Sequence, residues 1–141
     1  MTVQEPSMPK DQIRVLILPG ADPVGDWVAN VINYAPDMSF LGLVRDLSLV
    51  LETIEKLKPD VILVDISSGI LQRGDLINRV AAPSTGAAVI VMAMMGEVDM
   101  VRQAMLYGAQ GFLLKPFSEA ELLSSLRQAY KLVVQRRSEW G

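Results

Sequence analysis

Val61-Ile62-Leu63-Val64-Asp65-Ile66 decides the fold. The run is apolar on both faces and rich in β-branched residues. Such a strand lies in the middle of a parallel sheet, where helices cover both sides. Lys58-Pro59-Asp60 turns the chain into it, and Ser67-Ser68-Gly69 breaks it. A single aspartate closes this apolar run, and an unpaired charge there would be expensive.

Upstream, Ile13-Arg14-Val15-Leu16-Ile17-Leu18 reads as a first buried strand, broken by Pro19-Gly20-Ala21-Asp22-Pro23. Residues 24–34 carry Trp27, Val28, Val31 and Ile32 at helical spacing. A second strand is expected over 38–44, followed by a helical stripe of Leu47, Val50, Leu51, Ile54 and Leu57. Downstream, a weaker helix containing Gly74 is expected over 70–80, a strand over 89–94 and a helix over 97–107 with Val98, Val101 and Met105 on one face. A fifth strand is expected over 111–115. Ser118, with Glu121 three residues on, forms a capping box before a last helix carrying Leu122, Leu126, Ala129 and Val133. Five alternating strand–helix units imply one α/β domain with a parallel sheet. We assign residues 12–131 to it, 1–11 to a disordered lead-in and 132–141 to a helix end or linker.

Composition narrows the chemistry. The 141 residues are half apolar, carry a net charge of −3, and contain neither cysteine nor histidine. Disulfides, thiolate metal sites and histidine-dependent catalysis are excluded. Nucleic acid is not an expected partner, because the densest positive run is only Arg136-Arg137, which a helix C-terminus explains equally well. The longest apolar stretch, residues 87–95, is far short of the roughly 20 residues a membrane span needs, and residues 1–10 lack the apolar core of a signal peptide. The expected compartment is the cytoplasm.

In such sheets chemistry gathers beyond the carboxyl ends of the strands. Strand three ends in Asp65 and strand five in Lys115-Pro116-Phe117, so a carboxylate and an ammonium converge on one rim. Two readings stand: an ion pair that only fixes the rim, or a functional site.

Pro59-Asp60-Val61-Ile62-Leu63-Val64-Asp65 and Gly108-Ala109-Gln110-Gly111-Phe112-Leu113-Leu114-Lys115-Pro116-Phe117 resemble two motifs of the receiver domains of two-component response regulators. The second is the more specific, since it fixes several residue types at fixed spacing. The resemblance implies a doubly wound (βα)5 flavodoxin-like sandwich with strand order 2-1-3-4-5. It implies that Asp65 is the phospho-acceptor, Lys115 the phosphoryl contact, Phe112 the switch aromatic, and Pro116 the proline of a cis peptide.

Three departures accompany it. The family carries two acidic residues after strand one to hold Mg²⁺; Pro19 and Gly20 stand there. Asp22 is the one nearby replacement oxygen donor, but its turn chemistry before Pro23 favours a turn or N-cap role. At the end of strand four the family's hydroxyl residue is replaced by Ala93, which cannot bond phosphate. After Asp65, Ser67-Ser68-Gly69 replaces a usual Met-Pro pair. The expectation is therefore a degenerate receiver that is not an enzyme, has no cofactor and binds protein partners. The alternative is a working phospho-receiver that takes a phosphoryl group from a histidine kinase with Mg²⁺.

Residues 89–99, 101–105 and 115–118 further resemble the receiver-like N-terminal domains of Flp/Tad pilus-assembly localisation proteins. That likeness implies a C-terminal ATPase partner domain. The family also implies a homodimer through helix 4, strand 5 and helix 5. The methionines around strand four, Met92, Met94, Met95, Met100 and Met105, are expected mostly in the core. Leu123, Tyr130 and Val134 give the last helix a second apolar face, which fits either a partner or the end of a fragment. The glycine spacing at Gly20 and Gly25 is that of a phosphate loop, but Asp26-Trp27 follows where Lys and Ser or Thr are needed.

Overall fold

The computed structural model describes residues 12–140, and of Trp140 only the backbone. The expected lead-in 1–11 lies outside the described residues. Five parallel strands, β1 (Ile13–Leu18), β2 (Met38–Leu43), β3 (Val61–Asp65), β4 (Ala88–Ala93) and β5 (Gly111–Leu114), form one sheet in the order β2-β1-β3-β4-β5. This is the doubly wound order expected. β3 lies at its centre with every residue buried, which is why its sequence is apolar on both faces.

Five helices cover the sheet: α1 (Val24–Tyr34), α2 (Val50–Leu57), α3 (Leu76–Val80), α4 (Val98–Leu106) and α5 (Glu119–Trp140). Alternation along each strand divides the core in two. Leu16, Ile62, Val64, Val89 and Val91 face α2, α3 and α4. Val15, Ile17, Leu63, Ile90 and Met92 face α1 and α5. The α5 stripe Leu122, Leu126, Ala129 and Val133 is buried as its spacing predicts. The capping box forms, with Ser118 N donating to Glu121 Oε1 at 2.8 Å and Glu121 N donating to Ser118 Oγ at 3.0 Å.

Several expectations are corrected. The helix expected over 70–80 is split into a short 3-10 turn at Ile70–Gln72 and the single-turn α3, because Gly74 adopts a positive φ of 64° between them. β2 carries a bulge: Val15 pairs with Phe40 and Leu16 with Gly42, leaving Leu41 as the extra residue. α4 buries Val101 and Ala104 and leaves Val98 exposed, so its inner face is rotated from the one expected. Trp27 points away from the core and packs on Phe117, with ring centroids 5.9 Å apart. Met94 and Met95 are exposed, while Met92 is buried and Met100 and Met105 pack against the core. α5 runs unbroken through Trp140, so the stretch expected as a helix end or linker is helix as far as it is described, with Val133 buried in it.

Asp60 ties the opposite end of the molecule together. Its buried carboxylate accepts from Arg14 N at 2.9 Å and from the Arg137 guanidinium at 2.6 Å, joining β1, the start of β3 and the last turns of α5. Leu63→Ala is expected to lower stability by about 2–5 kcal/mol, the cost of a cavity in a fully buried strand. Chemical denaturation of the variant checks this.

Candidate functional site

The site is built at the carboxyl ends of β1, β3 and β5. Asp65 is the last residue of β3, with no solvent exposure. Its Oδ1 accepts from Ser67 N at 2.9 Å and from Ser67 Oγ at 2.8 Å. Its Oδ2 accepts from Lys115 Nζ at 2.7 Å. Asp65 thereby caps the 3-10 turn Ile66–Ser68 and pairs with a lysine from the far side of β4.

Lys115 follows β5 and is itself buried; its backbone N donates to Ala93 O at 2.8 Å, which keeps the β4–β5 ladder going to the rim. The Lys115–Pro116 peptide is cis. The ammonium bridges two carboxylates, since Nζ also donates to Asp22 Oδ2 at 2.8 Å. Asp22 keeps its turn role as well: Oδ1 accepts from Val24 N at 3.1 Å, while Pro23 occupies the cap position of α1. The expected turn function of Asp22 is thus present, but the Lys115 contact is one the sequence reading did not foresee.

Electrostatics follow from this triad. Its hydrogen bond from Lys115 holds the Asp22 carboxyl below the ordinary aspartate value, against an opposing push from partial burial. Burial alone would lower the Lys115 ammonium; hydrogen bonds to Asp22 and Asp65 outweigh it and leave the group above the ordinary lysine value. Two carboxylates and one ammonium leave this part of the rim net negative. Opposite-charge contact at hydrogen-bond distance is what keeps Asp65 tolerable in an apolar strand.

Of the remaining expected positions, Pro19, Gly20 and Ala93 lie at the rim, whereas Phe112 lies within β5 opposite Val91. Pro19 and Gly20 are buried and supply no side-chain oxygen. Ala93 ends β4, fully buried, with no hydroxyl to offer. Phe112 stands on β5 with its ring half exposed. Among the described residues, no group of three or more acidic side chains gathers in a way that can hold a metal ion. The donor set does not fit Mg²⁺: both oxygens of Asp65 are engaged, and the cation facing Asp22 and Asp65 is the protein's own ammonium. Ser67 is the side chain of this cluster that the sequence did not single out, its signal being the unusual Ser-Ser-Gly after Asp65.

The triad predicts two outcomes. Lys115→Met is expected to destabilise the domain by about 3–5 kcal/mol, because it strands a buried carboxylate, whereas Asp22→Asn costs under about 1 kcal/mol because Asp22 is partly solvated; denaturant melts compare them. With a depressed folded pKa, the stability from Asp22 is present above its unfolded value, about 3.9, and lost as pH falls through the folded one. The gap between wild type and Asp22→Asn is therefore expected to be widest near neutral pH and to close toward pH 2, read from melts across that range.

Comparison with known proteins places this geometry. The family model described as response regulator receiver domain matches residues 22–127. The match begins just after Pro19 and Gly20. The nitrate/nitrite response regulator protein NarL of Escherichia coli K12 is 26% identical over 129 residues, covering 92% of this chain and 57% of that protein. The transcriptional regulatory protein YesN of Bacillus subtilis is 29% identical over 104 residues, covering 73% of this chain and 28% of that protein. The chain thus spans little more than half of NarL and about a quarter of YesN. A solved signal receiver domain of a Luxo repressor protein from Vibrio parahaemolyticus superposes with a TM-score of 0.74 at 21% identity, over 92% of this chain and 98% of that one, a likeness of fold. With the strand order, the rim aspartate and the Lys-Pro-Phe turn already in hand, the family match makes this chain a member of the response regulator receiver domains of two-component signalling.

Proposed function

We propose that this domain acts as a degenerate receiver, one that binds protein partners without Mg²⁺-dependent phosphorylation of Asp65. The observation that carries the reading is the state of Asp65: fully buried, with Ser67 N and Oγ both donating to Oδ1. An acceptor aspartate must present a free oxygen to the phosphoryl donor. Phosphoryl transfer also relies on positioned cationic charge and hydrogen-bond donors around the moving group. Pro19, Gly20 and Ala93 supply neither metal ligands nor a hydroxyl.

A partner-binding role is supported by the surface on the α4–β5 side. Met94, Met95, Val98, Leu106 and Phe112 are large apolar side chains exposed there. Such side chains in proximity favour a protein interface, either a second copy across α4, β5 and α5 or a different protein. The relatives that extend well beyond this domain support an attached or partner output unit, and the Flp/Tad likeness makes an ATPase domain the candidate. Among the described residues no helix is long and apolar enough to cross a membrane.

The alternative, a phospho-receiver that takes its phosphoryl group from a histidine kinase onto Asp65, is favoured by one observation. Asp65 and Lys115 meet at 2.7 Å at the strand ends, the arrangement an acceptor and its charge sensor need. The two readings part on one measurement. Incubation with acetyl phosphate and Mg²⁺, followed by intact-mass analysis, is expected to leave the chain unmodified. A stoichiometric, Mg²⁺-dependent adduct lost in Asp65→Asn would establish the phospho-receiver instead.

A further inference from the structure

The departure at Ser67-Ser68-Gly69 and the departure at Pro19-Gly20 meet in space. A Cβ placed on Gly20 would lie 1.9 Å from Ser67 Oγ, 2.8 Å from Asp65 Cγ and 3.0 Å from Asp65 Oδ1. Ordinary carbon contacts sit near 3.5–4.0 Å. Gly20 is therefore pressed against the Asp65 carboxylate, and the Ser67 hydroxyl fills the volume that any side chain at 20 needs. That hydroxyl is not free to swing. Asp65 Oδ1 accepts from both Ser67 N and Ser67 Oγ, at 2.9 and 2.8 Å, which fixes the backbone and the side chain of Ser67 together. On the other side, Gly25 in the first turn of α1 is pressed on Pro19, where an added Cβ would meet Pro19 Cβ at 2.7 Å. The β1–α1 connection is thus wedged between α1 and the Asp65–Ser67 unit.

We infer that Gly20 and Ser67 are a matched pair that seals Asp65, so that residue 67 governs access to the carboxylate. The inference rests on the degenerate-receiver reading and supplies its physical cause. Absence of acids at 19 and 20 removes ligands but does not close the site. The Ser67 hydroxyl closes it, by saturating Oδ1 and by occupying the space over Gly20. Restoring a side chain at 20 alone is then self-defeating, because it collides with the hydroxyl. Ser68 provides an internal contrast: its Oγ is buried without a hydrogen-bond partner and makes no bond to Asp65.

A double-mutant cycle on the full chain tests the pairing. Gly20→Ala, Ser67→Ala and the double variant are compared by denaturant melts. The Gly20→Ala loss is expected to shrink by about tenfold in the unfolding equilibrium constant when Ser67→Ala is present, since the tightest contact is gone. Additivity within about twofold overturns the pairing. A second measurement applies even if Gly20→Ala does not fold. Carbodiimide-driven amidation of Asp65, read by peptide mass spectrometry, is expected to be at least about tenfold faster in Ser67→Ala than in wild type, while Ser68→Ala stays at the wild-type rate. Equal protection in Ser67→Ala, or equal exposure in Ser68→Ala, overturns the seal. Phosphorylation of the wild-type chain would instead overturn the degenerate reading, and the cycle would still report on the pair separately.

Discussion

The ammonium of Lys115 held between Asp65 and Asp22 is the interaction on which the rim depends. Asp65 ends the most deeply buried strand of the sheet, where an isolated carboxylate would be driven to neutralise or to pull the strand end apart. Lys115 reaches it at 2.7 Å from two strands away, and Asp22 closes the arrangement from the β1–α1 connection. One cation therefore joins three segments that are distant in the chain. The Trp27–Phe117 contact lies over the same two connections and adds apolar packing to the ionic tie.

This arrangement makes family membership compatible with the degenerate site proposed above. The receiver fold needs a parallel sheet with its acceptor strand in the middle, and that demand is met by packing alone. Phosphorylation needs more: an open carboxylate oxygen, hard ligands for a metal and a donor for the arriving group. Here the oxygens are engaged, the ligand positions are a proline and a glycine, and the donor position is an alanine. Fold and site respond to different constraints, so the fold forms whatever stands at positions 19, 20 and 93.

The two ends of the molecule are organised differently. At the rim, Asp65 and Lys115 are buried and Asp22 joins them from a partly solvated position. At the opposite end, the buried Asp60 carboxylate is held by Arg137, whose side chain is half exposed. That contact fastens the last turns of α5 to the body of the domain. Nothing local in the stretch 131–140 reveals this, because the partner of Arg137 lies 77 positions earlier.

Periodicity and punctuation in the sequence determined the five strand–helix units, the two-faced burial of β3, the α5 stripe and the convergence of Asp65 with Lys115. These are legible because strand and helix periods, turn residues and the rule that functional groups collect at strand ends act locally or topologically. Gly74 was visible too, yet its power to divide the expected third helix depended on a backbone conformation the sequence does not state. Only tertiary structure decided the triad with Asp22, the rotation of α4 that exposes Val98, and the displacement of Trp27 onto Phe117. It also decided that Asp65 has no solvent exposure. A serine two residues after an aspartate reads as turn chemistry; that its hydroxyl occupies the space above Gly20 depends on how closely β1 and β3 end together. Contacts between residues far apart in the chain set the chemistry of this site, and no local pattern encodes their distances.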